Sequence, residues 1–151
     1  MATHRDDPYG NFNFLVDIGT GDKNSVRGGF QEVTGMNIEV TTAEYRAGNS
    51  KKNHTIKING IYKHADVSLK RGLLGWPDLY QWMDAIRTGD RGALRTVHVQ
   101  LMDEAHNGPV MTWTLWGARP LRYVIPVLNA KTATDVAIEE LVLSIEDLTI
   151  E

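Results

Sequence analysis

Apolar residues recur at every second position through most of this chain, the period of half-buried β-strands. Phe12, Phe14, Val16 and Ile18 share one face of the first such stretch, with Asn13, Leu15 and Asp17 on the other. The glycine-rich run 19–25 that follows reads as a turn. Phe30 to Val40 is predicted extended, with Gly35 marking a bulge or a close approach of backbone. Thr41 to Asn53 is polar, carries Gly48-Asn49-Ser50, and is expected as an exposed loop. Alternation resumes from His54 to Tyr62 through Ile56 and Ile58, and again from Ala65 to Leu69.

One segment changes period. Leu79, Trp82, Met83 and Ile86 fall at i, i+3, i+4 and i+7, a single apolar stripe of a helix. Trp76-Pro77-Asp78 suits its entry, with proline in the first turn and an acid at the positive end of the dipole. Gly89 is the expected residue just past its end.

Strands then return. Val97, Val99 and Leu101 alternate with His98 and Gln100, and the turn Ala105 to Pro109 leads into Met111, Trp113 and Leu115 as a hairpin. Tyr123 to Leu128 is extended and broken by Pro126. Near the end, Val136 and Ile138 lie on one parity and Leu141, Leu143 and Ile145 on the other, which predicts a β-bulge at Glu139-Glu140. The pattern amounts to seven or eight strands and one helix. The fold class is all-β and mainly antiparallel, a β-barrel or sandwich with one flanking α-helix. No repeat or linker divides the chain, so residues 1–151 are expected to form a single domain.

Composition narrows the chemistry. The chain has 151 residues and no cysteine, which excludes disulfides, thiolate metal sites and a thiol nucleophile. Its apolar runs are too short to span a bilayer, so no stable membrane association is expected. Met1 to Gly10 lacks the apolar centre of a secretory signal, and folding in the cytoplasm is the expectation. A net charge of −3 gives no overall attraction for nucleic acid. That total conceals an asymmetry: Arg46 to Arg71 holds seven bases and one acid, whereas Thr132 to Glu151 holds six acids and no base. Such segments pair within a subunit, pair between subunits, or are solvated.

Catalytic patterns are missing. The histidines at 4, 54, 64, 98 and 106 have no metal-ligand spacing. Gly19-Thr20-Gly21-Asp22-Lys23 departs from the phosphate-loop pattern, and no G-x-S-x-G occurs. The neighbouring acids Asp103-Glu104 and Glu139-Glu140 point to opposite faces of a strand. No cofactor or metal is expected. Trp82 and Trp113 read as core, whereas Trp116 falls on the polar parity with Thr112 and Thr114. An exposed aromatic there suits a subunit contact. Leu15 beside Phe14, Val142 beside Leu143 and Trp116 beside Leu115 make strands apolar on both faces, which suggests cover by neighbouring subunits. Two alternatives stay open: a β-barrel binding a small ligand, or an enzyme with a site between subunits. A third is a nucleic-acid-binding barrel using the basic segment with Tyr45 and Tyr62.

Four stretches in order resemble the tail tube family of contractile phages and phage-derived contractile injection systems. They are Asp7 to Ile18; Gly28-Gly-Phe-Gln-Glu-Val-Thr-Gly-Met36 with Glu39 and Tyr45-Arg-Ala-Gly-Asn49; Leu69-Lys-Arg-Gly72 with Leu79-Tyr80 and Trp82; and Trp116 through Ala118 and Pro120 to Ile138–Leu148. Thr34 stands where the family more often has serine, and Ser144-Ile145-Glu146 where a basic residue is common. The resemblance implies a non-enzymatic structural subunit with an Hcp-like fold. Hexameric rings would stack head to tail into a hollow inner tube. Its implied partners are copies of itself, sheath subunits, baseplate proteins, tube-initiating or terminating proteins, and DNA or effector cargo in the lumen. The particle would be a phage tail or injection device assembled in the cytoplasm.

On that footing the loop holding Tyr45, Arg46, Asn49, Lys51 and Lys52 is expected to reach a neighbouring subunit or ring. Glu139, Glu140, Glu146 and Asp147 are its candidate counterparts, between or within rings, and Trp116 is a separate candidate subunit contact.

Overall fold

The computed structural model describes residues 5–19, 29–131 and 134–151. Most of the predicted turn after Ile18, as well as His4 and Gly28, lies outside them. The elements run β1 (Phe14–Asp17), β2 (Phe30–Thr34), β3 (Glu39–Tyr45), β4 (Ile56–Lys63), β5 (Val67–Gly72), α1 (Asp78–Arg87), β6 (Arg95–Met102), β7 (Pro109–Val124), β8 (Ile138–Ser144) and β9 (Asp147–Ile150). Seven strands form one antiparallel sheet in the order β1-β6-β7-β8-β5-β2, with β9 also on β7, while β3 and β4 pair only with each other.

The sheet closes over a core because β7 turns a corner. Its first half, Trp113 to Trp116, pairs with β9, and its second half, Arg119 to Val124, pairs with β8. Gly117 sits between them at φ +62°, where a side chain is strained and would meet Glu146. Val16, Leu69, Val99, Leu115, Leu141 and Leu143, from five strands on both sides of the corner, then bury one cluster. Helix α1 closes it with Leu79 and Trp82, which are buried, and the Trp82 indole N–H donates to the Ala93 carbonyl at 2.7 Å.

The helix follows its stripe, but Pro77 is its N-cap rather than a first-turn residue. Gly89, at φ +91°, follows the C-cap Thr88 as expected. Trp113 is only partly buried against the core.

Four expectations are corrected. Phe12 lies outside β1 and is exposed, because the strand begins at Phe14. Phe30 to Val40 is two strands, not one. At Gly35 (φ +89°) the chain passes so close to β5 that a Cβ would stand 2.2 Å from the Asp66 carbonyl oxygen. Thr41 to Asn53 is not all loop: β3 continues to Tyr45, and its β-branched and aromatic residues explain why. Finally, no bulge occurs at Glu139-Glu140, since β5 and β8 pair in unbroken register from Val67↔Leu143 to Gly72↔Ile138. Glu139, Leu141 and Leu143 all point inward. The parity break is a charged residue in the core, not an extra residue in the strand.

Candidate assembly surface

The β3–β4 hairpin stands off the body as an arm. Every residue of β4 is exposed. With eight residues at about 3.3 Å each, the arm extends about 26 Å. Tyr45↔Ile56 and Ala43↔Ile58 are paired directly across the ribbon, so an apolar row occupies one face of its outer half. Glu44↔Lys57 and Thr42↔Asn59 occupy the other face there. A bulge between Val40 and Thr42 then changes the parity, and Val40↔Tyr62 places apolar side chains on that second face near the root. Gly60 permits this bulge, because a Cβ there would stand 2.7 Å from Thr41 Oγ1, the hydroxyl that donates to the Ile61 carbonyl. Ile61 is itself 77% exposed.

Of the loop residues expected to make contact, Tyr45 ends β3 and is 59% exposed, and Asn49, Lys51 and Lys52 are exposed at the tip. Arg46 is occupied within its own loop: Nε donates to the Lys52 carbonyl at 3.2 Å and Nη2 to the Ser50 carbonyl at 3.3 Å. It holds the tip in shape.

The other expected contact residues divide. Trp116 is exposed, its indole N–H donating to Thr149 Oγ1 at 3.0 Å. Glu146 pairs with Arg119 at 3.0 Å beside it, and the Glu146 amide donates to the Trp116 carbonyl. Asp147 faces Trp116 in the β7–β9 register and lies 3.6 Å from His64. These three therefore form one surface with the root of the arm, a strand's length from the tip. Glu140 accepts from Ser68 Oγ at 2.6 Å.

Glu139 does not belong to that surface. It is 1% exposed and held by Arg71, whose Nε and Nη2 donate to its Oε1 at 2.9 and 2.6 Å. The Tyr123 hydroxyl donates to Oε2 at 2.6 Å. Arg71 also donates to both carboxylate oxygens of Asp78 at the start of α1. Burial acts to lower the Arg71 pKa, but hydrogen bonds to Asp78 and Glu139 outweigh it and the pKa is raised. Burial and the Glu139 charge push the Tyr123 hydroxyl up to about 12. Part of the basic-to-acidic asymmetry is thus satisfied inside the subunit, across β5 and β8. Val142 is likewise buried within the subunit and needs no neighbour to cover it.

The sequence reading missed the apolar residues of the arm. Ile56 and Ile58 were legible as strand residues, but their exposure was not. The available signal was Ile61 on the opposite parity, in a stretch flanked by Lys57 and Lys63. A second apolar surface also went unseen: Ile125, Val127, Leu128 and Val136, between β7 and β8, are each at least 68% exposed. Among the described residues no group of three or more His, Asp or Glu side chains is placed to hold a metal ion. No described helix is long and apolar enough to cross a membrane.

A comparison with curated protein sequences returned no match. Solved structures share the fold. A chain of the PVC sheath-tube complex, an extracellular contractile injection system in its extended state, superposes with a TM-score of 0.83 at 24% identity, covering 97% of this chain and 93% of that one. A chain of the anti-feeding prophage tube-terminating cap gives 0.83 at 22% identity, covering 100% and 95%. Hcp1 from Flavobacterium johnsoniae gives 0.54 at 9% identity, covering 91% and 93%. The family model described as T4-like virus tail tube protein gp19 matches residues 10–149. With nearly all of the described fold inside that match, the chain belongs to the T4-like virus tail tube family and is a structural tube subunit, not an enzyme.

Proposed function

We propose that this chain forms hexameric rings that stack head to tail into a hollow inner tube, as one domain from end to end. The arm carries this reading. A two-stranded hairpin alone is marginal in water, and this one exposes Tyr45, Ile56, Ile58, Ile61 and Tyr62. Large apolar side chains exposed on both faces of an unsupported hairpin mark an interface. Because the arm and the body surfaces differ, the contact is heterologous, and a heterologous contact closes into rings when its rotation permits.

The tip residues Tyr45, Asn49, Lys51 and Lys52 would meet a neighbouring subunit or ring, with Trp116, Glu140, Glu146 and Asp147 as counterparts. The fold's relatives come from a sheath-tube complex, a sheath/tube terminator and a 6-fold symmetrised baseplate. Sheath, terminator and baseplate proteins are accordingly the proposed partners, and DNA or effector protein the proposed cargo. Assembly would take place in the cytoplasm, into a phage tail or injection particle.

Sedimentation of the purified chain over a range of concentrations tests this. Discrete ring-sized or longer species support it, and a monomer at every concentration contradicts it.

A further inference from the structure

We propose that His64 and Asp147 form a proton-operated latch that fixes the direction in which the β3–β4 arm leaves the body. The arm has two root segments, one entering β3 at Asn37 and one leaving β4 at His64. They are tied together: His64 Nδ1 lies 2.8 Å from the Asn37 carbonyl oxygen, and the Ala65 amide donates to Asn37 Oδ1 at 2.9 Å. The His64 side chain is only 2% exposed. Its Nε2 is buried without a hydrogen-bond partner, 3.6 Å from Asp147 Oδ1 at the start of β9.

The chemistry follows from the partners. A carbonyl oxygen only accepts, so Nδ1 carries the hydrogen and the neutral ring turns the Nε2 lone pair toward a carboxylate. Two acceptors then face each other. One added proton makes Nε2 a donor and converts the same geometry into a charge-assisted pair, which closes to about 2.8 Å. The groups facing the ring are Asp147 from β9, the Asn37 carbonyl from the β2–β3 connection, and the Tyr62 ring from β4, edge-on at 5.7 Å. Glu39 and Lys63 oppose each other across the adjacent mouth of the hairpin. Asp147 Oδ1 already accepts from the Leu148 amide at 2.8 Å, which holds it in place to receive the proton-bearing ring. With the latch closed, the arm root is fastened to β9 and through it to β7. With it open, the root lacks that tie to β9 and keeps only its connections to β2 and β5.

The consequence for assembly rests on the reading of the arm given above; the latch itself does not. Amide hydrogen exchange on the full-length chain tests it at about pH 5.5 and about pH 8, with rates divided by intrinsic exchange. In the wild type, protection at Ala65 is expected to be about tenfold greater at the lower pH. Asp147→Asn and His64→Gln should abolish this difference while the core amides of Leu141 and Leu143 stay protected. Equal protection of wild-type Ala65 at both pH values overturns the latch, as does an undiminished pH response in Asp147→Asn. Sedimentation of the same samples separates the two proposals: a pH-dependent root in a chain that never associates retains the latch and overturns the assembly reading.

Discussion

Arg71 and Glu139 lie opposite each other on β5 and β8, with Nη2 and Oε1 2.6 Å apart and both side chains about 1% exposed. Arg71 also donates from Nη1 and Nη2 to the two carboxylate oxygens of Asp78, so one guanidinium joins two strands to the helix. Removing Glu139 leaves Arg71 bound to Asp78 but takes the acceptor from two of its buried donors and from the Tyr123 hydroxyl. Glu139→Leu should cost about 3–5 kcal/mol. The measurement is denaturant unfolding in an arm variant that stays dissociated, because association otherwise enters the apparent stability. A cost within about 0.5 kcal/mol of zero, the size of an ordinary surface change, would show the pair to be dispensable.

Tyr123 completes that network and gives it an alkaline limit. Its hydroxyl is pushed up to about 12, above the ordinary value of 10.0. The neutral form is the one the fold favours, so its contribution is complete below pH 10 and is lost as pH rises through about 12. Phenolate absorbance should show one tyrosine ionising last, and Tyr123→Phe should remove that step.

The opposite sign applies at the N-terminal segment. Glu104 accepts from Arg5 at 2.6 Å and from the Gly10 amide at 3.0 Å, and the Arg5 hydrogen bond first of all holds its carboxyl down at about 2. Its contribution is complete above the ordinary 4.5 and is lost as pH falls through about 2. Limited proteolysis within residues 5–10 should therefore be slow at about pH 4 in the wild type and faster in Glu104→Gln. Equal rates would detach the segment from this ion pair.

Gly35 has neither the dihedral nor the space for a side chain. Gly35→Ala should destabilise by about 2–5 kcal/mol, combining positive-φ strain with the clash against Asp66. Thermal unfolding measures it, and a neutral result would mean that β2 and β5 separate there without cost.

These sites also show what the sequence carried. Leu79, Trp82, Met83 and Ile86 announced the helix because their spacing and their burial agree. Gly35 was legible as a close approach, though not its neighbour Asp66, which comes from a distant segment. At Glu139 the hydrophobic pattern misled: an acid stood where an apolar residue belonged, and the partner that makes it tolerable, Arg71, lies 68 positions away. The arm was least legible. Ile56 and Ile58 alternate as in any half-buried strand, and periodicity reports which residues share a face without saying what covers it. The described subunit leaves those residues exposed, and the neighbour proposed to cover them is another copy of the chain.

Electron microscopy of negatively stained wild-type protein beside an Ile58→Asp variant tests that central claim most directly. The account predicts rings or tubes with a central hole for the wild type. It predicts dispersed particles with unchanged far-ultraviolet circular dichroism for Ile58→Asp, because a carboxylate in the apolar row of the arm has no partner once covered. Dispersed wild-type monomers under all conditions, or tubes formed equally well by the variant, would contradict it.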